Sequence, residues 1–110
     1  MDDELGTGGQ RLYEELALES DSYELTALIV EACRIKDRLD FLHRILTGDE
    51  DLWLRLVPTR GNTEVLEIRV DSAAQESRQL ATVFRQMLAE VKRRRADDGD
   101  SGEYDPLDDL

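Results

Sequence analysis

Between Leu25 and Leu46 the apolar residues Leu25, Leu28, Ala32, Ile35, Leu39, Leu42 and Leu46 recur at gaps of 3, 4, 3, 4, 3 and 4. This is the spacing of a helix that buries a seam against other helices. Ile29 and Ile45 widen the stripe, so more is buried than a two-stranded seam needs. The helix is expected from about residue 22 to 47. Asp21 with Glu24 three residues on forms an Asp version of the capping box, and Gly48 is a natural stop. A second run, Ser77, Leu80, Phe84, Met87 and Val91, repeats the 3, 4, 3, 4 spacing, flanked by Ala73, Ala74, Ala81 and Leu88. It predicts a helix capped by Asp71 or Ser72, with Gln75 completing a box, and ending near Arg95.

The period changes between these helices. In Leu52-Trp53-Leu54-Arg55-Leu56-Val57 and in Glu64 to Val70 the apolar residues alternate, and Pro58-Thr59-Arg60-Gly61-Asn62-Thr63 lies between them. That pattern predicts a β-hairpin over about residues 52–70. An isolated hairpin is marginal in water, so its apolar face needs a helix or a neighbouring chain beneath it. Trp53 then packs under the hairpin or lines an intersubunit contact. A short helix fits about 9–18, with Leu12, Tyr13 and Leu16 on one face. The expected organisation is a flexible lead (1–8), a mainly α-helical oligomerisation domain with the hairpin (9–95), and a disordered acidic tail (96–110).

Charge is unevenly divided. The chain has 110 residues, 26 acids, 14 bases and a net charge of −12. Residues 1–24 hold eight acids and one base (−7), residues 96–110 seven acids and no base (−7), and residues 25–95 eleven acids and thirteen bases (+2). A slightly basic middle is able to meet DNA locally, although the whole chain is not attracted to it. Ordinary solvated helix faces give the same balance. No apolar stretch is long enough for a membrane span, and MDDELGTGG is the reverse of a signal peptide. The one cysteine, Cys33, excludes an internal disulfide, and the expected compartment is a reducing cytoplasm.

Catalytic constellations are missing. His43 and Cys33 lie ten positions apart on one helix, about 80° around and about 15 Å along its axis, too far for a nucleophile–base pair. Gly6-Thr7-Gly8-Gly9 lacks the Lys-Ser/Thr and the preceding strand of a phosphate loop. Asp49-Glu50-Asp51 reads as a polar turn rather than a calcium loop. No cofactor or metal is expected, and the chain reads as a non-enzyme.

The stretch from Leu28 to Asp40, LIVEACRIKDRLD, resembles one found in phage terminase small subunits, particularly those of actinobacterial phages and prophages. Leu46-Thr47-Gly48-Asp49 is similar to that family's helix end. Glu76-Ser77-Arg78-Gln79, followed by Leu80, Phe84, Arg85 and Leu88-Ala89-Glu90, is similar to its closing helix. Gly9-Gln10-Arg11-Leu12-Tyr13 is similar to its opening helix. The resemblance covers about residues 8–91 and rests on the order and spacing of these elements together. It implies the DNA-recognition component of a genome-packaging motor in an infected bacterial cell. Such subunits form rings of roughly eight or more protomers, bind viral double-stranded DNA, and pass it to a terminase large subunit with ATPase and nuclease activity.

Residues 1–24 lack the basic recognition helix of many family members. Candidate DNA contacts therefore lie elsewhere: Arg34, Lys36, Arg38 and Arg44 on the first long helix, Arg60 at the hairpin tip, and Lys92, Arg93, Arg94 and Arg95. Solvated side chains or intersubunit salt bridges are the alternative for each. Leu28, Leu39, Leu42, Leu80, Phe84 and Met87 are the candidate oligomerisation residues. The resemblance also implies that the end of the chain docks on the large subunit, with Tyr104, Leu107 and Leu110 as anchors. The competing reading is a small acidic helical regulator that forms a dimer and binds a basic protein.

Overall fold

A computed structural model describes residues 4–56 and 63–103, and every element in them is a helix: α1 (Thr7–Leu16), α2 (Tyr23–Leu46), α3 (Glu50–Leu56) and α4 (Thr63–Glu103). The chain is extended, 66 × 31 × 18 Å. Its radius of gyration is 18.8 Å, against about 13 Å for a globule of this length. The long dimension is set by α4, whose 41 residues span about 60 Å at 1.5 Å per residue.

α2 is the central element. It starts at Ser22, whose Oγ accepts the Leu25 amide at 3.1 Å. The cap is thus one residue later than the expected Asp21. The side chain of Asp21 turns back instead and accepts the Leu18 amide at 2.8 Å. α2 ends where Gly48 takes φ +80°, a conformation that costs other residues the clash of a Cβ.

α4 runs antiparallel to α2. Val91, late in α4, shares a core with Leu25, Ile29 and Cys33, early in α2. Ala73, early in α4, shares a second core with Leu42 and Ile45, late in α2, and with Leu52 of α3. α1 closes the first core through Leu12, Tyr13 and Leu16. Ile29, Cys33 and Ile45 are buried, whereas Leu28, Ile35 and Leu39 of the heptad row are only half-buried. Leu25, Ala32 and Leu42 of the row are buried as well, so the intramolecular core takes part of the expected seam together with one flank of it.

The expected hairpin is absent: no strand occurs among the described residues, and 52–56 and 64–70 are helical. Two physical facts override the alternating pattern. Asp49 Oδ1 accepts the Leu52 amide at 3.0 Å, and Glu50 and Asp51 occupy the first turn of α3, where acids favour the dipole. Period-two patterns of six or seven residues also discriminate poorly between strand and helix, and Glu64, Leu66, Glu67 and Arg69 are good helix formers. As a helix, the alternation distributes its apolar residues over several directions. Leu52 is buried while Leu54 and Ile68 are each 65% exposed.

Three more boundaries move. Asp71 and Ser72 lie inside α4 rather than at its start, and the backbone of 96–103 continues α4, so the tail expected to be disordered from 96 begins as helix. The lead of 1–8 is shorter than expected, because α1 begins at Thr7. The turn residues Pro58 to Asn62, including Arg60, and Tyr104, Leu107 and Leu110 lie outside the described residues.

Candidate nucleic-acid interface

The cations expected to meet DNA are mostly held by carboxylates of the same chain. Arg34 Nη2 bonds Glu4 at 2.8 Å, and Arg34 Nη1 bonds Glu31. Lys36 Nζ lies 2.8 Å from Asp40. Arg38 takes Glu76 with both Nε (2.6 Å) and Nη2 (2.8 Å), tying α2 to α4, and its guanidinium carbon stands 5.2 Å from the Phe41 ring centre. This pairing holds the Glu76 carboxyl below its ordinary range. Arg44 Nε bonds the Asp49 carboxylate at 3.0 Å and supports the cap of α3. The Leu52 amide and then Arg44 lower the Asp49 pKa.

The run from Lys92 to Arg95 divides into three parts. Arg93 and Arg94 converge on Glu90 at 2.5 and 2.7 Å, and Arg93 also reaches Asp97 at 3.0 Å. The hydrogen bonds from Arg93 and then Arg94 hold the Glu90 carboxyl down at about 2. Arg95 turns inward. Its Nη2 donates to the Leu16 carbonyl at 2.9 Å and to Asp21 at 3.1 Å, locking α4 onto the α1–α2 corner. Lys92 is exposed and makes no ion pair with a described residue.

Two cations absent from the sequence-based selection join Lys92. Arg78 and Arg85 are exposed and make no ion pair among the described residues. Arg78, Arg85 and Lys92 sit at successive heptads, so they form one stripe whose neighbours stand about 10.5 Å apart, about 21 Å in all. Arg85 Nη2 leans on the Thr82 hydroxyl at 3.4 Å, which itself donates to the Arg78 carbonyl at 3.3 Å. From Gln75 to Ala96 the stripe reads Gln75, Arg78, Thr82, Arg85, Ala89, Lys92, Ala96, with no acid in it. The heptad recurrence of these bases was the available signal. It is hidden by the apolar heptad on the opposite side of the same helix.

The candidate oligomerisation residues are placed unequally. Leu42 is buried within the protomer, whereas Leu28, Leu39, Leu80, Phe84 and Met87 are half-buried. Cys33 is buried, and its thiol is pushed up to about 11, by burial first and by the nearby Asp37 charge second. Gly6-Thr7-Gly8-Gly9 does not present an open helix N-terminus: Asp37 of α2 fills it, accepting the Gly6 and Gly9 amides at 2.7 Å each. Among the described residues no group of three His, Cys, Asp or Glu is placed to hold a metal ion, and no helix is long and apolar enough to cross a membrane. No protein-family model, curated protein or solved structure matches the chain.

Proposed function

We infer that this protein is a non-enzymatic, ring-forming adaptor of the terminase small-subunit type. It binds viral double-stranded DNA in an infected bacterial cell and recruits and stimulates the large ATPase–nuclease subunit. The observation that carries the oligomeric part is the unfinished apolar row. Leu28, Ile35 and Leu39 of α2, with Leu80, Phe84 and Met87 of α4, are only half-covered within one protomer. A slender helical hairpin of this kind completes its burial by packing against copies of itself. The sequence resemblance over about residues 8–91 supplies the rest of the reading.

The net charge of −12 and the pairing of Arg34, Lys36, Arg38 and Arg44 with carboxylates favour a second reading, an acidic dimeric regulator. Light scattering of the purified chain separates the two. A mass of roughly eight or more protomers supports the adaptor, and a dimer supports the regulator. Leu39→Asp places a carboxylate in the half-buried row, where desolvating an unpaired charge costs several kcal/mol. It should dissolve the assembly while the helical circular dichroism survives. An unchanged high-mass species would put the interface elsewhere.

A further inference from the structure

We propose that the outer stripe of α4, built from Arg78, Arg85 and Lys92, is a sequence-independent phosphate-binding ridge for double-stranded DNA. The proposal deepens the DNA-binding reading and rests on it for the identity of the polyanion. The other candidate DNA-contacting cations among the described residues, apart from Lys92, are already neutralised by a carboxylate. These three have none among the described residues, so meeting a phosphate breaks no internal ion pair.

The geometry suits a duplex backbone. The ridge lies on one helix and is about 21 Å long, a length over which the two strands of a duplex together carry about a dozen phosphates. Each side chain is a long, exposed lever that finds a phosphate at any register. Thr82 and Gln75 stand in the same stripe as neutral hydrogen-bonding groups of the kind that accompany phosphate contacts. A membrane surface is a poorer fit, because interfacial helices set large apolar residues beside their cations and this stripe offers only Ala89 and Ala96. The ridge also lacks an acid from Gln75 to Ala96, in a chain where acids outnumber bases by 26 to 14.

Three phosphate contacts alone bind weakly. They predict a slope of about −2.7 in log affinity against log salt for each engaged protomer, or roughly a 40-fold loss between about 50 and 200 mM. Useful affinity then comes from several protomers presenting their ridges to one duplex, where linked contacts raise overall avidity without new chemistry.

The test is fluorescence anisotropy of a labelled duplex of arbitrary sequence with the full chain, titrated across that salt range. The triple variant Arg78→Gln, Arg85→Gln, Lys92→Gln is compared with wild type and with a control, Arg93→Gln with Arg94→Gln. Light scattering and circular dichroism accompany each protein. Expected is loss of most binding and of about 2.7 units of slope per protomer in the triple variant, with the control close to wild type and all three equal in mass and helicity. Equal binding and slope in the triple variant overturns the ridge and leaves DNA binding to another surface. A wild-type chain that ignores duplex even at about 50 mM salt overturns both readings. A triple variant that loses its assembled mass places the stripe between protomers and overturns the ridge.

Discussion

Gly9 of α1 and Asp37 of α2 are fitted to each other at the limit of close approach. The Gly9 amide donates to Asp37 Oδ1 at 2.7 Å, and a Cβ at Gly9 would stand 2.4 Å from Asp37 Oδ2 and 2.8 Å from the Cys33 carbonyl oxygen. The same carboxylate accepts the Gly6 amide. One acid from α2 thus satisfies two unpaired donors at the start of α1, which has no side-chain cap of its own.

Alanine substitutions across the glycine run should therefore rank by what they strike. Gly9→Ala meets backbone, the Cys33 carbonyl, and should cost about 1–3 kcal/mol as an overpacked contact. Gly8→Ala makes a shorter clash, 2.1 Å, but with Asp40 Oδ2, the end of a half-exposed side chain that can swing away. The gain of about 1 kcal/mol from replacing a helical glycine then roughly offsets the lost Lys36–Asp40 surface pair. Urea denaturation of the two variants checks the ranking, and a Gly8→Ala variant less stable than Gly9→Ala would contradict it.

Asp21 should prove a structural residue. Its carboxylate is 3% exposed, accepts the Leu18 amide and meets Arg95 at 3.1 Å. Arg95 Nε, moreover, is buried with no hydrogen-bond partner among the described residues. Asp21→Ala strips the remaining carboxylate from a guanidinium that is two-thirds buried, and leaving such a group unsatisfied costs about 1–3 kcal/mol. The unfolding free energy should fall by that amount, with Asp21→Asn intermediate because it still accepts from Leu18. Full stability in Asp21→Ala would show that the lock contributes nothing.

These contacts mark where the sequence stops being informative. α2 is readable because twenty-four residues carry a sustained period and a terminal glycine; its expected limits miss by one residue at each end. The segment from Leu52 to Val70 misleads because alternation in so short a run fits either geometry, and the deciding contacts are local side-chain bonds: Asp49 to the Leu52 amide and Trp53 Nε1 to the Ile45 carbonyl, 2.9 Å. The Gly9–Asp37 fit spans 28 positions and has no periodic signature. Asp37 reads there as an ordinary polar residue on a helix surface. The Glu4–Arg34 and Glu76–Arg38 ion pairs are equally invisible, since Glu4 lies ahead of α1 and Glu76 on α4.

Trp53 should report on the end of the molecule formed by α2 and α3. Its indole donates to the Ile45 carbonyl and its ring lies against Gly48. Gly48→Ala forces a Cβ into φ +80°, at a cost of roughly 1–2 kcal/mol. Its ordinary contact distance of 3.7 Å to the ring leaves the cost in the backbone rather than in a clash. The tryptophan emission should shift to the red as α3 loosens. Unchanged emission and stability would mean that α3 does not depend on this turn.

Acid should weaken the C-terminal part of α4. Glu90 titrates at about 2 in the folded chain against an ordinary 4.5, and Asp49 and Glu76 are lowered as well. Groups depressed on folding contribute stability that is complete above their unfolded pKa and lost as the pH falls through the folded one. For Glu90 that window runs from 4.5 down to about 2. Its exposure makes the contribution small and salt-sensitive. Thermal melts across this range should show a decline that added salt reduces and that Glu90→Gln flattens. An identical pH profile in that variant would assign the decline to other carboxylates.

Cys33 offers a direct measure of whether α1 leaves α2. The thiol is fully buried and titrates at about 11, so its thiolate fraction at pH 8 is only about one in a thousand. Alkylation by iodoacetamide then proceeds through the opened form, in which the thiol is solvated and its pKa relaxes toward the ordinary 9.0. When opening is fast and reversible, the labelling rate follows the opening equilibrium. Gly9→Ala strains the contact against the Cys33 carbonyl. If that strain of about 1–3 kcal/mol is relieved by undocking α1, the labelling rate should rise about 5- to 150-fold. Gly8→Ala, whose new Cβ meets the Asp40 and Lys36 side chains first, should label at close to the wild-type rate. Equal labelling of wild type and Gly9→Ala, with global stability reduced, would show that Cys33 is exposed by opening elsewhere, such as the separation of α4 at Val91, and that α1 moves with α2 as one body.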